Sequence, residues 1–182
     1  MAGFTALVPA PQAHEVNTNV EPCPTSLIIT RRGLPRAKLT DKCQPPTISW
    51  WANHMETLQV GPFRATGFEP FLRFFDAKLQ LVRAAKPDLY KALGTAGCLC
   101  IRHVRGRPGV PSNHCFGMAI DMKIEGVIDY RGDGQIQVGM LELWKIIKCP
   151  ELYWGVEFRI EDGMHIEASR RLVKQWIAEG LI

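Results

Sequence analysis

The sequence predicts a mixed α+β fold, in which helices come first and a small antiparallel sheet follows. Three patterns of apolar residues indicate this class. Between residues 71 and 85, apolar side chains recur every three or four positions, as on one face of an amphipathic helix. Residues 118–124 and 164–168 instead alternate between apolar and polar side chains, which is typical of half-buried strands.

The composition is that of one globular domain. The chain has 182 residues, of which 46% are hydrophobic and 22% charged, with a formal net charge of +4. Lysines and arginines are scattered instead of forming a basic stripe, so we expect no nucleic-acid partner. No run reaches the roughly 20 apolar residues of a transmembrane helix. Residues 1–8 lack the basic start and hydrophobic run of a secretory signal, so no Sec leader is predicted.

Residues 1–46 are predicted to form an irregular, proline-rich N-terminal arm, and residues 47–182 are predicted to form the main domain. Prolines recur throughout the arm and disfavour regular helix. Only residues 26–30, with the sequence Ser-Leu-Ile-Ile-Thr, have strand character. Residues 47–60 are aromatic-rich and compatible with either helix or strand, so their structure stays open.

Helices and strands are mixed through the rest of the chain. The helix over 71–85 ends before Pro87, and a short helix over 87–94 ends at Gly94. The later elements, in order, are a strand over 98–104, the strand over 118–124, a turn over 129–134, a helix over 141–147, the strand over 164–168 and a closing helix over 170–181.

Six cysteines are present, and none belongs to a Cys-x-x-Cys pair. Cys98 and Cys100 are two residues apart and would face the same way on a strand. An even number permits disulfides, but a chain of this length does not require them. We therefore expect free and mostly buried cysteines.

The segment from Ser112 to Asp121 holds the first candidate for metal chemistry. His114 and Asp121 are seven residues apart and would face opposite sides of an unbroken strand, but Gly117 between them supplies a break. His114 can then lie on a turn while Asp121 points back from the following strand. His165, on the polar face of the strand over 164–168, is the third ligand. Two imidazoles and a carboxylate suit Zn²⁺, and three protein ligands leave the fourth position to water.

Asp162 is the candidate general base. It lies three residues before His165, with Gly163 between them to let the chain turn. A carboxylate there can lie beside the metal without binding it, take a proton from the water and pass it to the leaving amine. The alternative is structural, because an isolated His–Asp pair is more often a surface hydrogen bond than a metal site.

These residues resemble a known family. Ser112-x-His114-x-x-Gly117-x-Ala119-x-Asp121 resembles the SxHxxGxAxD signature of M15 metallopeptidases. The segment 162–167 resembles the family's D-x-x-H-F-E signature with Ile166 in place of phenylalanine, and 153–155 resembles its G-W-x-W-G segment. The resemblance extends from about residue 60 to the C-terminus. It implies a hedgehog/DD-peptidase-like fold and one zinc ion per chain, held by His114, Asp121 and His165, with Asp162 as the base.

The same resemblance implies roles for four more residues. An arginine upstream of the first signature stabilises the oxyanion or holds a substrate carboxylate in this family. Arg102 and Arg105 both lie in that stretch, and Arg102 is preferred as the catalytic one. Arg105, Ser112 and Trp154 are expected to contact substrate.

The resemblance also implies a substrate, which is a peptidoglycan stem peptide or muropeptide. Aspartate instead of glutamate at position 162 favours an L-alanyl-D-glutamate endopeptidase over a D,D-carboxypeptidase. The alternative is a non-catalytic, zinc-bearing binding or signalling module, as hedgehog proteins have. Without a Sec leader, we expect synthesis in the cytoplasm and action on the cell wall or periplasm only after export. A phage holin or a secretion system with an immunity partner could serve that route; otherwise the enzyme stays cytoplasmic.

Overall fold

The computed structural model describes residues 3–104 and 106–182. Within them the helices are α1 (Ala13–Val16), α2 (Thr25–Arg32), α3 (Ser49–Asn53), α4 (Glu69–Ala85), α5 (Pro87–Ala92), α6 (Val138–Ile147) and α7 (Arg170–Ala178). The strands are β1 (Leu7–Pro9), β2 (Met55–Val60), β3 (Phe63–Phe68), β4 (Leu93–Gly97), β5 (His103–Val104), β6 (Arg107–Pro111), β7 (Ala119–Ile124), β8 (Val127–Ile128), β9 (Gln135–Gln137), β10 (Leu152–Trp154) and β11 (His165–Ala168). The predicted α+β class is confirmed.

A five-stranded antiparallel sheet forms the centre of the domain. Its order is β10–β11–β7–β4, and β8 pairs with β7. β7 and β11 confirm the two strands predicted from alternation. Ile120, Met122 and Ile124 on one face of β7 are fully buried, whereas Asp121 on the other face is partly exposed. Since β7 and β11 are adjacent, Asp121 lies directly opposite His165 in the ladder.

Helix α4 confirms the predicted amphipathic helix and packs its apolar face into the core. A proline in its first turn suits a helix start, because that position has no intrahelical amide partner to lose. Five fully buried side chains carry the packing: Phe71, Leu72, Phe75, Leu79 and Val82. Burying each contributes about 1.5–3 kcal/mol. α4 is 17 residues long, and in the described part of the chain no helix combines the length and apolarity needed to cross a membrane.

The prediction of strand character for residues 26–30 is wrong, because these residues lie inside α2. Pro24 precedes the helix, and Gly33 ends it with a positive φ of 68° and an amide that donates to the carbonyl of Ile29. Ile28 is the one helix residue that is fully buried. The β-branched residues suggested a strand, but the flanking start and stop residues determine the local structure. The undecided segment 47–60 divides into α3 and then β2.

The N-terminal arm packs against the domain along its length. β1 pairs with β9, and the side chain of Asn17 bonds both the amide and the carbonyl of Trp154 at 3.0 and 2.9 Å. The stretch around Gln44 bridges antiparallel to Ile101. The arm is therefore tied to the rest of the chain at β9, at Trp154 of β10 and at Ile101, while its separation from the domain at residue 46 stays a prediction.

The predicted strand over 98–104 and the expected free cysteines both need correction. Only β5, at the end of that stretch, is strand, because the amides of Leu99 and Cys100 donate to the carbonyls of Thr66 and His114 instead of joining a ladder. Cys100 forms a disulfide with Cys43, since the arm brings the two Cα atoms within 4.8 Å. The prediction of free thiols holds for the others: Cys23, Cys98 and Cys115 are buried and Cys149 is half-buried.

Candidate metal centre

His114 lies in a 3₁₀ helix over Asn113–Phe116. Ser112 precedes this helix and Gly117 follows it. The Ser112 side chain caps this helix by accepting a hydrogen bond from the His114 amide at 3.3 Å. Gly117 ends it in the left-handed region with a φ of 62°. A Cβ atom at Gly117 would collide with the backbone nitrogen of Phe68, so no other residue fits there. The predicted break at Gly117 is confirmed, and it turns His114 toward the face of β7 that carries Asp121.

Three side chains converge at the centre of the sheet. His114 Nε2 lies 3.1 Å from Asp121 Oδ1 and 3.1 Å from His165 Nδ1, and His165 Nδ1 lies 3.2 Å from Asp121 Oδ1. Donor atoms bound tetrahedrally to zinc at roughly 2.0–2.1 Å lie about 3.3 Å apart. The observed triangle is therefore close to one face of such a tetrahedron, and these residues could hold a metal ion. The structure brings together the three residues predicted as ligands.

Each histidine uses its other ring nitrogen on a fixed acceptor. His114 Nδ1 lies 2.8 Å from the carbonyl of Cys98, and His165 Nε2 lies 2.8 Å from Glu167 Oε2. Both acceptors require a proton on the facing nitrogen, so His114 Nε2 and His165 Nδ1 are left with free lone pairs. When both rings are neutral, two lone pairs and a carboxylate oxygen face one another at about 3 Å, an arrangement that a cation between them would stabilise. The donor set thus fits a metal ion.

Glu167 is a site residue that the sequence reasoning missed. It is 2% exposed, and it lies two positions after His165 on β11, so both side chains share one face of the strand. That spacing was a usable signal, because a glutamate beside a ligand histidine on one strand face is a candidate partner for its second nitrogen.

The pKa values at the centre reflect this concentration of carboxylates. Burial alone would raise the pKa of Asp121, but the charges and hydrogen bonds of His114 and His165 outweigh burial and hold it well below its usual range. For His165 burial favours the neutral ring, but the hydrogen bonds to Asp121 and Glu167 outweigh it and raise the pKa to about 10. The pocket therefore attracts positive charge.

Asp162 lies beside the triangle without joining it. Its backbone is fixed on both sides, because its amide donates to Gly155 and its carbonyl accepts from His165. Burial raises the pKa of its carboxyl, an effect that the nearby His165 partly opposes. Oδ2 forms an ion pair with Arg131 Nε at 3.3 Å, whereas the buried Oδ1 has no hydrogen-bond partner in the described residues. One carboxylate oxygen is thus held and the other is free to accept a proton.

Trp154 supports the loop that carries Asp162. Its side chain is fully buried, and its indole nitrogen donates to the carbonyl of Gly163 at 2.7 Å. The prediction that Trp154 contacts substrate does not fit a side chain without exposed surface. Gly163 is needed for the close approach of the neighbouring turn, since a Cβ there would lie 2.7 Å from the carboxylate of Asp129.

The predicted arginines are less well placed than the ligands. Arg102 is half-buried, and its Nη1 donates to the carbonyl of His103 at 3.0 Å. The arginine that pairs with Asp162 is instead Arg131, which sequence reasoning did not single out. Arg105 lies outside the described residues. Ser112 acts on the metal centre by capping the helix of His114, and its contact with substrate stays a prediction.

The fold and the site define a class of protein, which is a mixed α+β domain in which three side chains could hold a metal ion and a fourth, carboxylate side chain lies beside them. Comparison with known proteins narrows this class. Residues 105–168 match a family model of M15 peptidases that is described as D-alanyl-D-alanine carboxypeptidase, so this segment of the chain is similar to that family. The matched segment includes the three candidate ligands and Asp162. No curated protein and no solved structure matches the chain.

Proposed function

We propose that this protein is a zinc-dependent peptidase that hydrolyses peptide bonds in peptidoglycan stem peptides. The observation that carries the proposal is the triangle of His114, Asp121 and His165, in which both histidines present lone pairs. A structural zinc site would have a fourth protein ligand, whereas three ligands beside a free carboxylate are typical of a catalytic site. Two nitrogen donors and one oxygen donor also favour zinc over magnesium or calcium, which prefer oxygen alone.

The chain's own residues supply the proton transfers. Zinc, when bound, lowers the pKa of a coordinated water and polarises a carbonyl. Oδ1 of Asp162 accepts a proton from the attacking water and then donates it to the leaving amine. The hydrogen bond from the Asp162 amide to the Gly155 carbonyl holds the backbone in place, so the carboxylate stays within reach of the water and of the leaving amine. Arg102 stays a candidate for the oxyanion, and its present bond to the His103 carbonyl would have to open first.

The substrate class comes from the family. The matched model is described as D-alanyl-D-alanine carboxypeptidase, which makes the terminal bond of the stem one candidate. Aspartate at position 162 favours the other candidate, the bond between L-alanine and D-glutamate. The Cys43–Cys100 disulfide supports action outside a reducing cytoplasm, because protein disulfides persist in oxidising compartments.

Digestion of purified sacculi tests the proposal and identifies the bond. The zinc-loaded protein is incubated with sacculi, and the released fragments are analysed by mass spectrometry. We expect fragments with a new N-terminal D-glutamate, or loss of a single D-alanine if the terminal bond is cut. Asp162→Asn is the matched control, because it retains the three ligands but lacks the base. It should lower the rate at least about 100-fold. Zinc-loaded protein that binds sacculi without releasing fragments would refute catalysis and favour a binding module.

A further inference from the structure

Arg131 is the arginine that the structure places at the reacting end of the site. Its Nε pairs with Asp162 Oδ2 at 3.3 Å, and its side chain is 37% exposed while that of Asp162 is 18% exposed. The pairing uses one edge of a guanidinium that has five donors in a planar fork. The remaining donors of a partly exposed fork are available to a group that arrives from solvent.

The turn that carries Arg131 is fixed to the loop that carries Asp162. The amides of Gly132 and Gly134 both donate to Glu161 Oε2 at 3.0 Å, one residue before Asp162. Asp129, at the start of the turn, is 2% exposed and packs against Gly163, one residue after Asp162. Because contacts flank the base on both sides, the position of Arg131 relative to Asp162 is built into the fold and is not that of a freely moving surface side chain.

Both candidate bonds place a carboxylate where Arg131 could bind it. In a stem peptide, D-glutamate continues the chain through its side chain, so its α-carboxylate is free and lies next to the L-alanyl bond. In D-alanyl-D-alanine the terminal α-carboxylate has the same position relative to the scissile amide. Asp162 must reach that amide to protonate the leaving nitrogen, so the cation beside Asp162 lies near the carboxylate of the leaving residue.

We propose that Arg131 recognises the free α-carboxylate of the residue that leaves as the amine, and that it exchanges Asp162 for this carboxylate when substrate binds. This inference rests on the proposed function. The ion pair between Arg131 and Asp162 is replaced by an ion pair between Arg131 and the substrate carboxylate. The guanidinium can bind this carboxylate through two parallel hydrogen bonds, and Asp162 Oδ2 loses its partner. Stem peptides in which that carboxylate is amidated carry no charge for Arg131 and are therefore poorer substrates.

The test compares acid and amide forms of one substrate on two enzymes. Muropeptides with D-glutamate and with D-isoglutamine, and D-alanyl-D-alanine peptides with a free or amidated terminus, are assayed with the wild type and Arg131→Gln. We expect the wild type to prefer the acid by about 10-fold or more in kcat/KM, a modest ratio because the guanidinium is partly exposed. Arg131→Gln should bring the ratio near one, because it slows cleavage of the acid far more than cleavage of the amide. Arg131→Lys, which keeps the charge without the fork, should retain part of the preference.

Arg159→Gln is the matched control, because Arg159 is an exposed arginine shortly before Asp162. It should keep the full wild-type preference. A wild type that cleaves acid and amide equally, or an Arg131→Gln enzyme that keeps the wild-type ratio, would overturn the inference and leave the peptidase assignment intact. A wild type that cleaves neither form would instead contradict the proposed function. Zinc content and thermal midpoint of each variant show that loss of the preference is not loss of folding.

Discussion

Replacing Glu167 tests whether its hydrogen bond to His165 contributes to metal affinity. Glu167 is 2% exposed, and its Oε2 accepts the Nε2–H of His165 at 2.8 Å. This bond places the proton on Nε2 and leaves Nδ1 available to a metal ion. In Glu167→Gln the amide has two orientations. If the amide oxygen faces His165, the histidine keeps its tautomer but loses a negatively charged partner. If the amide nitrogen faces His165, it donates to Nε2, so the ring proton moves to Nδ1 and that atom can no longer bind a metal ion.

The expected loss of affinity follows from that one bond. A buried hydrogen bond to a charged group contributes about 1.5–3 kcal/mol. Since a tenfold change in affinity corresponds to about 1.4 kcal/mol, the zinc dissociation constant should rise by about 10- to 150-fold. This range agrees with the effect of about 10- to 100-fold that is typical for partners of ligand histidines.

The assay is competition for zinc against a fluorescent chelating indicator at neutral pH. Glu56→Gln is the control, because Glu56 is exposed on the separate β2–β3 hairpin and the same chemical change there should leave zinc affinity unchanged. A Glu167→Gln protein that folds and binds zinc as tightly as the wild type would refute the reasoning about the His165 tautomer.

Three further predictions concern pH and stability. Burial raises the pKa of Asp162 and a base must be ionised, so turnover should rise with pH through that pKa and be lost below it; Asp162→Asn should remove this acidic limb from the pH–rate profile while zinc content stays at one per chain. Burial together with Glu161 raises the pKa of Asp129 to about 6, so the folded state favours the protonated form, and the free energy of unfolding should fall by about 3 kcal/mol as pH rises from 4 to above 6. Urea unfolding across this range should show the slope in the wild type and in Asp88→Asn, which changes an exposed carboxylate on α5, but not in Asp129→Asn; equal slopes in all three would contradict the assignment. Cys43 and Cys100 are 57 residues apart, so their disulfide should stabilise the fold by about 4 kcal/mol in the chain-entropy treatment. A reducing agent should therefore lower the thermal midpoint of the wild type and of Cys149→Ser but leave that of Cys43→Ser unaffected, and a wild type insensitive to reduction would argue against the bond.

Local patterns predicted the parts of the fold that depend on neighbours in sequence. The apolar period of α4 and the alternation in β7 and β11 reflect which face of each element is buried. A short stretch of sequence is enough to show that face. The approach of His114 to Asp121 could be predicted for the same reason. His114, Gly117 and Asp121 lie within one turn and one strand, so their relative positions depend mainly on local backbone geometry.

The parts that depend on distant contacts could not be predicted. The disulfide needs the arm to lie beside Ile101, and nothing in either segment alone indicates that pairing. Arg131 lies near Asp162 because two amides of the turn that carries Arg131 donate to Glu161, which is about thirty residues away in the sequence. The helix α2 was missed for another reason, because its β-branched residues favour strand while the flanking Pro24 and Gly33 favour helix.

Metal content of the purified protein tests the central claim most directly. Elemental analysis by mass spectrometry should find one zinc per chain in the wild type. His114→Ala, Asp121→Ala and His165→Ala should each lose it, because each removes one of three donor atoms that lie about 3 Å apart. His54→Gln, whose ring nitrogen bonds the carbonyl of Trp50, should keep it. A wild type without stoichiometric zinc after reconstitution, or any of the three alanine variants with undiminished zinc, would contradict the account.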